Sequence, residues 1–403
     1  MLPSLVVLAA FCLLGLTLRF PRIACVLWIL ALETSPDSWL DNLIGGHEAI
    51  IGAMKAFGLV LVAVLMLRHG ARRDRYNPSF AFLLMFAIGL IHGLYPGLSF
   101  LSSLRSLIGS AAPFLFGFVR LPANIIQAVC RAAIWGPLVT SAFGALLAIA
   151  GLDHMYVLEQ GALRLGASGE PPFLAGFALI AVYAGLFEFL RRETLTQAAL
   201  ILLNLVIILL TGARAPLALA LLLCFSVLIL QRRLLVLAAC GAIASLALLF
   251  LNTLTFLRVI DLAQLGEAAS LSNRDLVWPY FQAAISTSPV FGWGVGAGKI
   301  IIPVTSQLTA LIGTNAAHNE YLRIGTEGGL FGLAILILLL VLWTLRGTHP
   351  LPHDQRWLMR LIFLGFIAHS ATDNTLIATT SSVFFIWVSS VFATAPEPSK
   401  PAA

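Results

Sequence analysis

The chain has 403 residues, of which 60% are hydrophobic and only 10% are charged, and its formal net charge is +6. A soluble domain usually carries about 25% charged residues, and the mean hydropathy here is +0.97. The composition therefore excludes a protein that faces water over most of its surface. The basic residues stand in short clusters between apolar runs, which is typical of membrane orientation signals and does not favour a nucleic-acid partner.

Apolar runs of roughly 20 residues recur along the whole chain, and each is long enough to cross the hydrocarbon layer of a membrane. Because the runs are continuous rather than alternating, they favour helices over a membrane barrel. The sequence predicts an all-α polytopic membrane protein with about twelve transmembrane helices. The predicted spans are 2–18, 23–40, 49–67, 79–96, 104–119, 133–150, 172–190, 195–210, 215–230, 234–253, 326–345, 358–374 and 378–394.

The basic clusters predict which loops face the cytoplasm, with "RHGARRDR" (68–75) and "RGTHPLPHDQRW" (346–357) as the clearest examples. The intervening loops then face outward. We divide the chain into transmembrane helices over 1–253, one large outward loop over 254–325, C-terminal transmembrane helices over 326–395 and a cytoplasmic tail over 396–403. The large loop contains several tryptophans and phenylalanines, which predicts a folded segment.

Ionisable residues at or near membrane depth are costly and therefore make functional candidates. Arginine holds phosphate or carboxylate oxygens in pairs and stays charged when buried. Several outer arginines beside a histidine predict a site for a multiply charged anion. The candidates on the outward side are Arg164, Arg214, Arg274, His318, Arg323, Glu327 and Asp373.

Each arginine also has a simpler interpretation. Arg214, in the short turn "TGARAP" (211–216), is equally compatible with a side chain that reaches the phospholipid headgroups. Arg164 fits a solvated loop charge, and Arg274 fits an ion pair with the adjacent Asp275.

His318 stands at the entry to an apolar span, where a histidine has either a structural or a catalytic role. On a continuous helix it shares one stripe with Gly325, Gly329 and Gly332, and these glycines would allow close helix packing. The stripe predicts that the imidazole faces protein and can accept a proton from an attacking hydroxyl. Glu327 falls on the opposite side of such a helix, so we interpret it as an anchor of the helix start. Asp373 is expected to approach from another helix in a supporting role.

The motifs of several enzyme classes are absent from the sequence. It contains no paired-aspartate metal motif, no HExxH, no P-loop and no GxSxG. Metal-dependent transfer from a nucleotide sugar and ATP-driven transport are therefore unsupported, and we predict neither a metal ion nor a cofactor. The glycine-rich "GWGVGAG" (292–298) is interpreted as a flexible turn.

Four stretches together resemble the O-antigen ligase/polymerase superfamily of bacterial envelope proteins. The most similar is "HNEYLRIGTEGGLFGL" (318–333), and the other three are "NRDLVWPYFQAAISTSPVFGWGVGAG" (273–298), "TGARAPLALA" (211–220) and "RLGASGEPPFLAGF" (164–177). They occur in the family's order. The chain departs from the family at Pro172, where the family often has asparagine.

The resemblance implies a GT-C-like glycosyltransferase of the bacterial inner membrane, with an active site that faces the periplasm and a periplasmic loop over 254–325. It implies a donor glycan on undecaprenyl pyrophosphate and, for a ligase, lipid A–core as acceptor. It places His318 as base, with Arg164, Arg214, Arg274, Tyr321 and Arg323 as substrate-binding residues. A polymerase of the same superfamily, a related protein oligosaccharyltransferase and a non-enzymatic transporter of lipid-linked glycans are the alternatives.

Overall fold

A computed structural model of the chain describes residues 14–44, 47–159, 162–233, 235–236, 276–312 and 314–394. This part is mostly helical and contains one antiparallel hairpin, β1 (Tyr156–Glu159) and β2 (Ala162–Leu165). Its α-helices are α1 (Pro21–Glu33), α2 (Pro36–Ile44), α3 (His47–His69), α4 (Ser79–His92), α5 (Phe100–Ala111), α6 (Ala123–Ile149), α7 (Pro171–Arg191), α8 (Leu195–Thr211), α9 (Arg214–Leu230), α10 (Trp278–Thr287), α11 (Gln307–Ile312), α12 (Glu320–Thr348), α13 (His353–His369) and α14 (Thr379–Ala393).

Among the described residues, five helical segments are long and apolar enough to cross a membrane. They are Ala49–His69, Phe100–Phe118, Ala123–Ile149, Pro171–Arg191 and Glu320–Thr348. Shorter apolar helices accompany them at Ser79–His92, Leu195–Thr211, Arg214–Leu230 and Thr379–Ala393. The chain is thus a mostly helical, multi-pass membrane protein.

Proline explains two places where the helices differ from the predicted spans. The predicted span 23–40 is two helices, because Ser35 adopts φ 45° and the next residue is Pro36, which disfavours the helical conformation before it. The predicted span 104–119 is an α-helix that continues as the 3₁₀ segment Ala112–Phe118, in which Pro113 lacks a backbone donor. The predicted span 234–253 lies outside the described residues apart from 235–236.

A cluster of buried aromatic rings joins α12, α13 and α14. Trp343 packs edge-on against Phe392 with ring centroids 4.9 Å apart, and Phe366 stacks on Phe384 at 4.9 Å. Aromatic pairs of this geometry contribute beyond their buried area. The cluster fixes the arrangement of these three helices. The site described below lies at the start of α12, the end of α13 and the loop between α13 and α14.

Helix α12 is interrupted at Gly329, which has φ 61°. The segment that follows α10 packs into this interruption, and the backbone N–H of Trp293 donates to Thr326 O at 2.9 Å while Leu330 N–H donates to Pro289 O at 2.8 Å. A β-carbon on Gly329 would lie 2.2 Å from Val290 O. The "GWGVGAG" segment is therefore a packed connection against α12 rather than a free turn.

Candidate active site

His318 precedes helix α12 instead of lying on it. Asn319 is the N-cap residue, and its side-chain Oδ1 accepts the N–H groups of Tyr321 at 3.0 Å and Leu322 at 3.2 Å. Asparagine is among the strongest N-caps, so the helix begins at Glu320, six residues before the predicted start. His318 itself has φ 45°. The predicted stripe of His318 with Gly325, Gly329 and Gly332 on one continuous helix is therefore wrong.

The glycines of α12 nevertheless allow close packing. A β-carbon on Gly332 would lie 2.7 Å from the side chain of Met85 on α4, and one on Gly325 would lie 3.0 Å from Ile285 on α10. Side chains larger than hydrogen would push these elements apart. The close approach that the sequence suggested is present, but it does not position His318.

Asp373 and Asn374, in the loop between α13 and α14, lie beside the His318 ring. His318 Nδ1 is 3.6 Å from Asp373 Oδ1 and 3.4 Å from Asn374 Nδ2. A second histidine, His369, places its Nε2 3.7 Å from Asp373 Oδ2. Asp373 thus stands between two imidazoles, one of which the sequence interpretation did not consider.

The ionisation of Asp373 is fixed by these neighbours. Burial raises its pKa, but hydrogen bonding with His318, the charge of His369 and the backbone N–H of Asn374 outweigh burial and lower the pKa to about 2. The carboxylate is therefore negative at neutral pH. The negative carboxylate 3.6 Å from Nδ1 favours the imidazole tautomer with hydrogen on Nδ1, in which Nε2 is the proton acceptor, whereas the amide nitrogen of Asn374, 3.4 Å from the same Nδ1, favours the other tautomer.

A cavity of about 710 Å³ opens in front of His318. Its polar wall includes His318, Asp373 and Asn374, together with Glu159 and Glu170 from the hairpin and the start of α7. Its remaining wall is largely apolar. The apolar lining includes Pro172, Phe173, Leu179, Ile180, Tyr183, Phe366 and Phe384. A cavity lined by both polar and apolar side chains suits a substrate with a polar head and a lipid chain.

A buried ion network ties the start of α12 to the loop that carries Asp373. Arg323 Nε donates to Glu320 at 2.6 Å and Nη1 donates to Glu327 at 3.0 Å, and the arginine is only 3% exposed. Glu320 also accepts the N–H of Leu376 at 2.8 Å, and its own N–H donates to Ser370 O at 2.8 Å. Glu320 therefore links both sides of the His318–Asp373 contact.

This network bears on two predicted residues. Glu327 does pair within the first turns of α12, as an anchor would. Arg323 was expected to bind substrate, but two of its guanidinium nitrogens are bonded to buried carboxylates. Its geometry therefore corresponds to a structural link instead of a substrate contact.

Tyr321 also makes an internal contact. Its hydroxyl donates to Ile367 O at 2.7 Å and so connects α12 to α13. It was expected among the substrate-binding residues, and in this arrangement its hydroxyl proton is directed to a backbone carbonyl. Arg274 lies outside the described residues.

Arg164 on β2 lies against the turn that carries Arg214. Its Nε donates to Thr211 O at 2.7 Å, its Nη1 pairs with Glu159, and the residue is only 6% exposed. Arg214 is the first residue of α9, three residues after Thr211, and is partly buried. Because Glu159 lines the cavity, Arg164 and the Arg214 turn belong to the side of the molecule where the cavity opens.

Sequence reasoning missed Glu320, His369 and Asn374. The spacing of His369 and Asp373, four residues apart at the end of an apolar run, was the available signal. In the part of the chain that the structure describes, no group of three or more His, Cys, Asp or Glu residues is arranged to hold a metal ion.

These features define a multi-pass membrane protein in which helix ends and a short hairpin surround an amphipathic cavity headed by a histidine–aspartate pair. The O-antigen ligase family matches residues 199–337, a segment that includes Arg214, Arg274, His318, Arg323 and Glu327. Residues 199–337 are thus similar to the O-antigen ligase family, and the resemblance to the O-antigen ligase/polymerase superfamily is confirmed over that segment. No curated protein matches the chain.

Proposed function

We propose that the protein is an O-antigen ligase of the bacterial inner membrane. It would transfer a glycan from undecaprenyl pyrophosphate to a sugar hydroxyl of lipid A–core at the periplasmic face. The observation that carries the proposal is the His318–Asp373 pair at the polar wall of an amphipathic cavity, within a chain that matches the O-antigen ligase family. We further propose a GT-C-like architecture with about twelve transmembrane helices.

In the proposed reaction, His318 Nε2 accepts the proton of the acceptor hydroxyl. The hydroxyl oxygen then forms a bond to the anomeric carbon of the donor, and the bond from that carbon to the diphosphate oxygen breaks. Undecaprenyl pyrophosphate leaves with the bonding electron pair. Asp373 stabilises the imidazolium that forms, as an orienting carboxylate does in other histidine-based sites. One direct displacement inverts the anomeric configuration.

The negative leaving group needs positive charge. We assign this role to Arg214 and Arg274, because guanidinium groups hold diphosphate oxygens in pairs and stabilise the charge that develops on them. Their charges would substitute for a metal ion. Arg164, whose Nε and Nη1 are bonded to Thr211 O and Glu159, is assigned to holding the hairpin against the turn of Arg214. Tyr321, Arg323 and Glu327 are assigned to the support of α12, in agreement with their internal contacts.

The experiment that tests this function uses purified protein in proteoliposomes with a lipid-linked O-antigen donor and lipid A–core. A ligase yields lipid A–core that bears the whole glycan. A polymerase yields longer lipid-linked glycan without using the core, and a transporter moves the donor but forms no glycosidic bond. Either of these two outcomes would contradict the proposal.

A deletion strain gives an independent cellular readout. Loss of a ligase leaves lipid A–core without O-antigen while lipid-linked polymer accumulates. Loss of a polymerase instead leaves core capped with a single repeat, and that phenotype would contradict the ligase assignment.

A further inference from the structure

A second cavity, of about 570 Å³, lies where helices α1 and α6 begin and where α3 ends. Two arginines and a histidine line it, namely Arg19, Arg22 and His69. Among the described residues that line this cavity, none is acidic. We call the cavity the basic pocket. Its charge favours an anionic ligand.

The basic pocket lies at the opposite end of α1 and α6 from the His318 cavity. Thr34, which follows α1, accepts through its carbonyl oxygen the hydroxyl of Ser168 at 2.9 Å. Ser168 belongs to the loop that joins the hairpin to α7, and the first residues of α7 line the His318 cavity. A β-carbon on Gly144, near the end of α6, would lie 2.4 Å from the backbone of Ala167 in the same loop. Both helices therefore end near the His318 cavity and begin at the basic pocket.

The starts of α1 and α6 add positive potential to the pocket. The first N–H groups of a helix have no acceptor within that helix and form the positive end of its dipole. Phe20 and Pro122 occupy the two N-cap positions, and neither side chain accepts an N–H group. Arg22 and Asn124 are the second residues of the two helices, and Asn124 Oδ1 accepts the N–H of Ile125 at 2.9 Å. Two helix starts at one cavity favour an anion there.

The basic side chains supply donors for phosphate oxygens. Arg19 and Arg22 are exposed, and the Arg19 guanidinium lies 5.8 Å from the ring centroid of Phe20, which also lines the pocket. The Nε2 atom of His69 is shielded from solvent and has no hydrogen-bond partner among the described residues. Guanidinium groups hold phosphate oxygens in pairs, and an imidazole nitrogen that carries hydrogen adds a further donor.

The apolar lining favours a lipid over a soluble anion. Phe20, Ile23 and Leu27 line the pocket at helical spacing, and each is between 45% and 49% exposed although it is large and apolar. In a membrane protein such a face is covered by acyl chains. A phospholipid can place its phosphate on the arginines and its chains along this face, whereas a soluble anion would leave the face uncovered.

We propose that Arg19, Arg22 and His69 bind the phosphodiester group of an anionic phospholipid. His69 belongs to "RHGARRDR" (68–75), which the basic-residue pattern predicts to face the cytoplasm. The cytoplasmic leaflet carries anionic lipids that basic segments attract. The site is remote from His318, so the inference goes beyond the proposed glycan transfer and does not depend on it.

The test is a titration of the full-length protein, in a neutral detergent, with fluorescent phosphatidylglycerol. Phosphatidylcholine with the same acyl chains is the comparison lipid. The variants are Arg19→Gln, Arg22→Gln and the double variant that carries both changes. Arg73→Gln is the matched control, because Arg73 is exposed and belongs to the same basic segment as His69 but does not line the pocket.

We expect phosphatidylglycerol to bind about fivefold more weakly to each single variant and about 30-fold more weakly to the double variant. This size follows from the contribution of one arginine near a membrane surface to the binding of an anionic lipid. Binding of phosphatidylcholine should be the same in all proteins, and Arg73→Gln should match wild type. Equal phosphatidylglycerol binding by wild type and the double variant, or an equal loss in Arg73→Gln, overturns the proposal.

Two further measurements check the ligand and the fold. Inorganic phosphate should not displace the labelled lipid at equal concentration; displacement there would assign the pocket to a soluble anion and overturn the lipid site. Arg19→Lys and Arg22→Lys keep the charge and should bind more tightly than the glutamine variants, and an equal loss in both kinds of variant would also overturn it. Phosphatidylglycerol should raise the Tm of wild type more than that of the double variant, because a ligand stabilises the state that binds it.

Discussion

Substitution of Asp373 by asparagine removes the negative charge that faces His318 and keeps the size of the side chain. The two groups are 3.6 Å apart, and the Asp373 side chain is 35% exposed. At this distance and exposure an effective dielectric constant of about 40 is appropriate, between that of a protein surface and that of water, which gives about 2 kcal/mol for the charge pair. If the imidazolium forms in the transition state, we expect kcat to fall about 30-fold.

The assay is steady-state glycan transfer by purified protein in proteoliposomes over a range of donor concentrations, which gives kcat and the KM for the donor. The KM for the donor should change little, because Asp373 is assigned to the imidazole and not to the diphosphate. Asp354→Asn is a matched control, since Asp354 also pairs with a histidine, His353, at 3.0 Å, but this pair is well exposed on α13. Transfer by Asp373→Asn at the wild-type rate, or an equal loss of activity in both variants, would refute the role of Asp373 beside His318.

Four further results are expected. Because the pKa of Asp373 in the folded protein is about 2, below its ordinary 3.8, its contribution to stability is present above about pH 4 and is lost as the pH falls toward 2. The difference in Tm between wild type and Asp373→Asn should therefore shrink between about pH 4 and pH 2, and a constant difference would contradict the shift. Arg323→Ala leaves the two buried carboxylates of Glu320 and Glu327 without a positive partner. It should lower the free energy of unfolding, measured thermally or with denaturant in detergent, by about 3–5 kcal/mol. A loss of donor affinity without destabilisation would instead restore the predicted role of Arg323 in substrate binding. Gly329→Ala should lower the free energy of unfolding by about 1–3 kcal/mol or more, because Gly329 has a positive φ and the new β-carbon would clash with Val290 O. Gly52→Ala on α3 is the control: its β-carbon would have no atom within 4 Å, so this variant should be neutral or slightly stabilising in the same unfolding assay. Transfer should persist in EDTA, and activity lost in EDTA and restored by Mg²⁺ or Mn²⁺ would contradict the assignment of the arginines to the leaving group.

The course of the helices follows largely from hydropathy. The predicted spans 172–190, 195–210, 215–230 and 378–394 correspond to α7, α8, α9 and α14 within one residue or so at each end. The start of α12 did not follow, because its first two turns carry Glu320, Arg323 and Glu327, which read as loop residues by hydropathy. Asn319 was the better signal, since N-cap chemistry and not apolarity decides where this helix begins.

The candidate site was accessible from the sequence only in part. His318 and Asp373 were both singled out, but a distance of 55 residues in the chain gives no measure of their separation in space. Charges that act together across helices become visible only once the packing of those helices is known.

The link between Arg164 and the turn of Arg214 illustrates the same limit. Both residues were predicted to contribute to one anion site, yet a solvated loop charge was an equally good interpretation of Arg164, and an arginine that reaches the phospholipid headgroups was an equally good interpretation of Arg214. The hydrogen bond from Arg164 to Thr211 O places the hairpin directly on that turn. The sequence pattern did not reveal this hairpin, because each strand has only four residues and so shows little alternation of polar and apolar side chains.

The most direct test of the account is the rate at which His318→Ala transfers glycan from the lipid-linked donor to lipid A–core in proteoliposomes. His353→Ala, which removes an exposed histidine of α13, is the control for the loss of an imidazole. We expect His318→Ala to unfold at a normal temperature and still bind donor, but to transfer at least about 100-fold more slowly, because a positioned general base contributes about that much. Transfer by folded His318→Ala at the wild-type rate would contradict the assignment of His318 as the base.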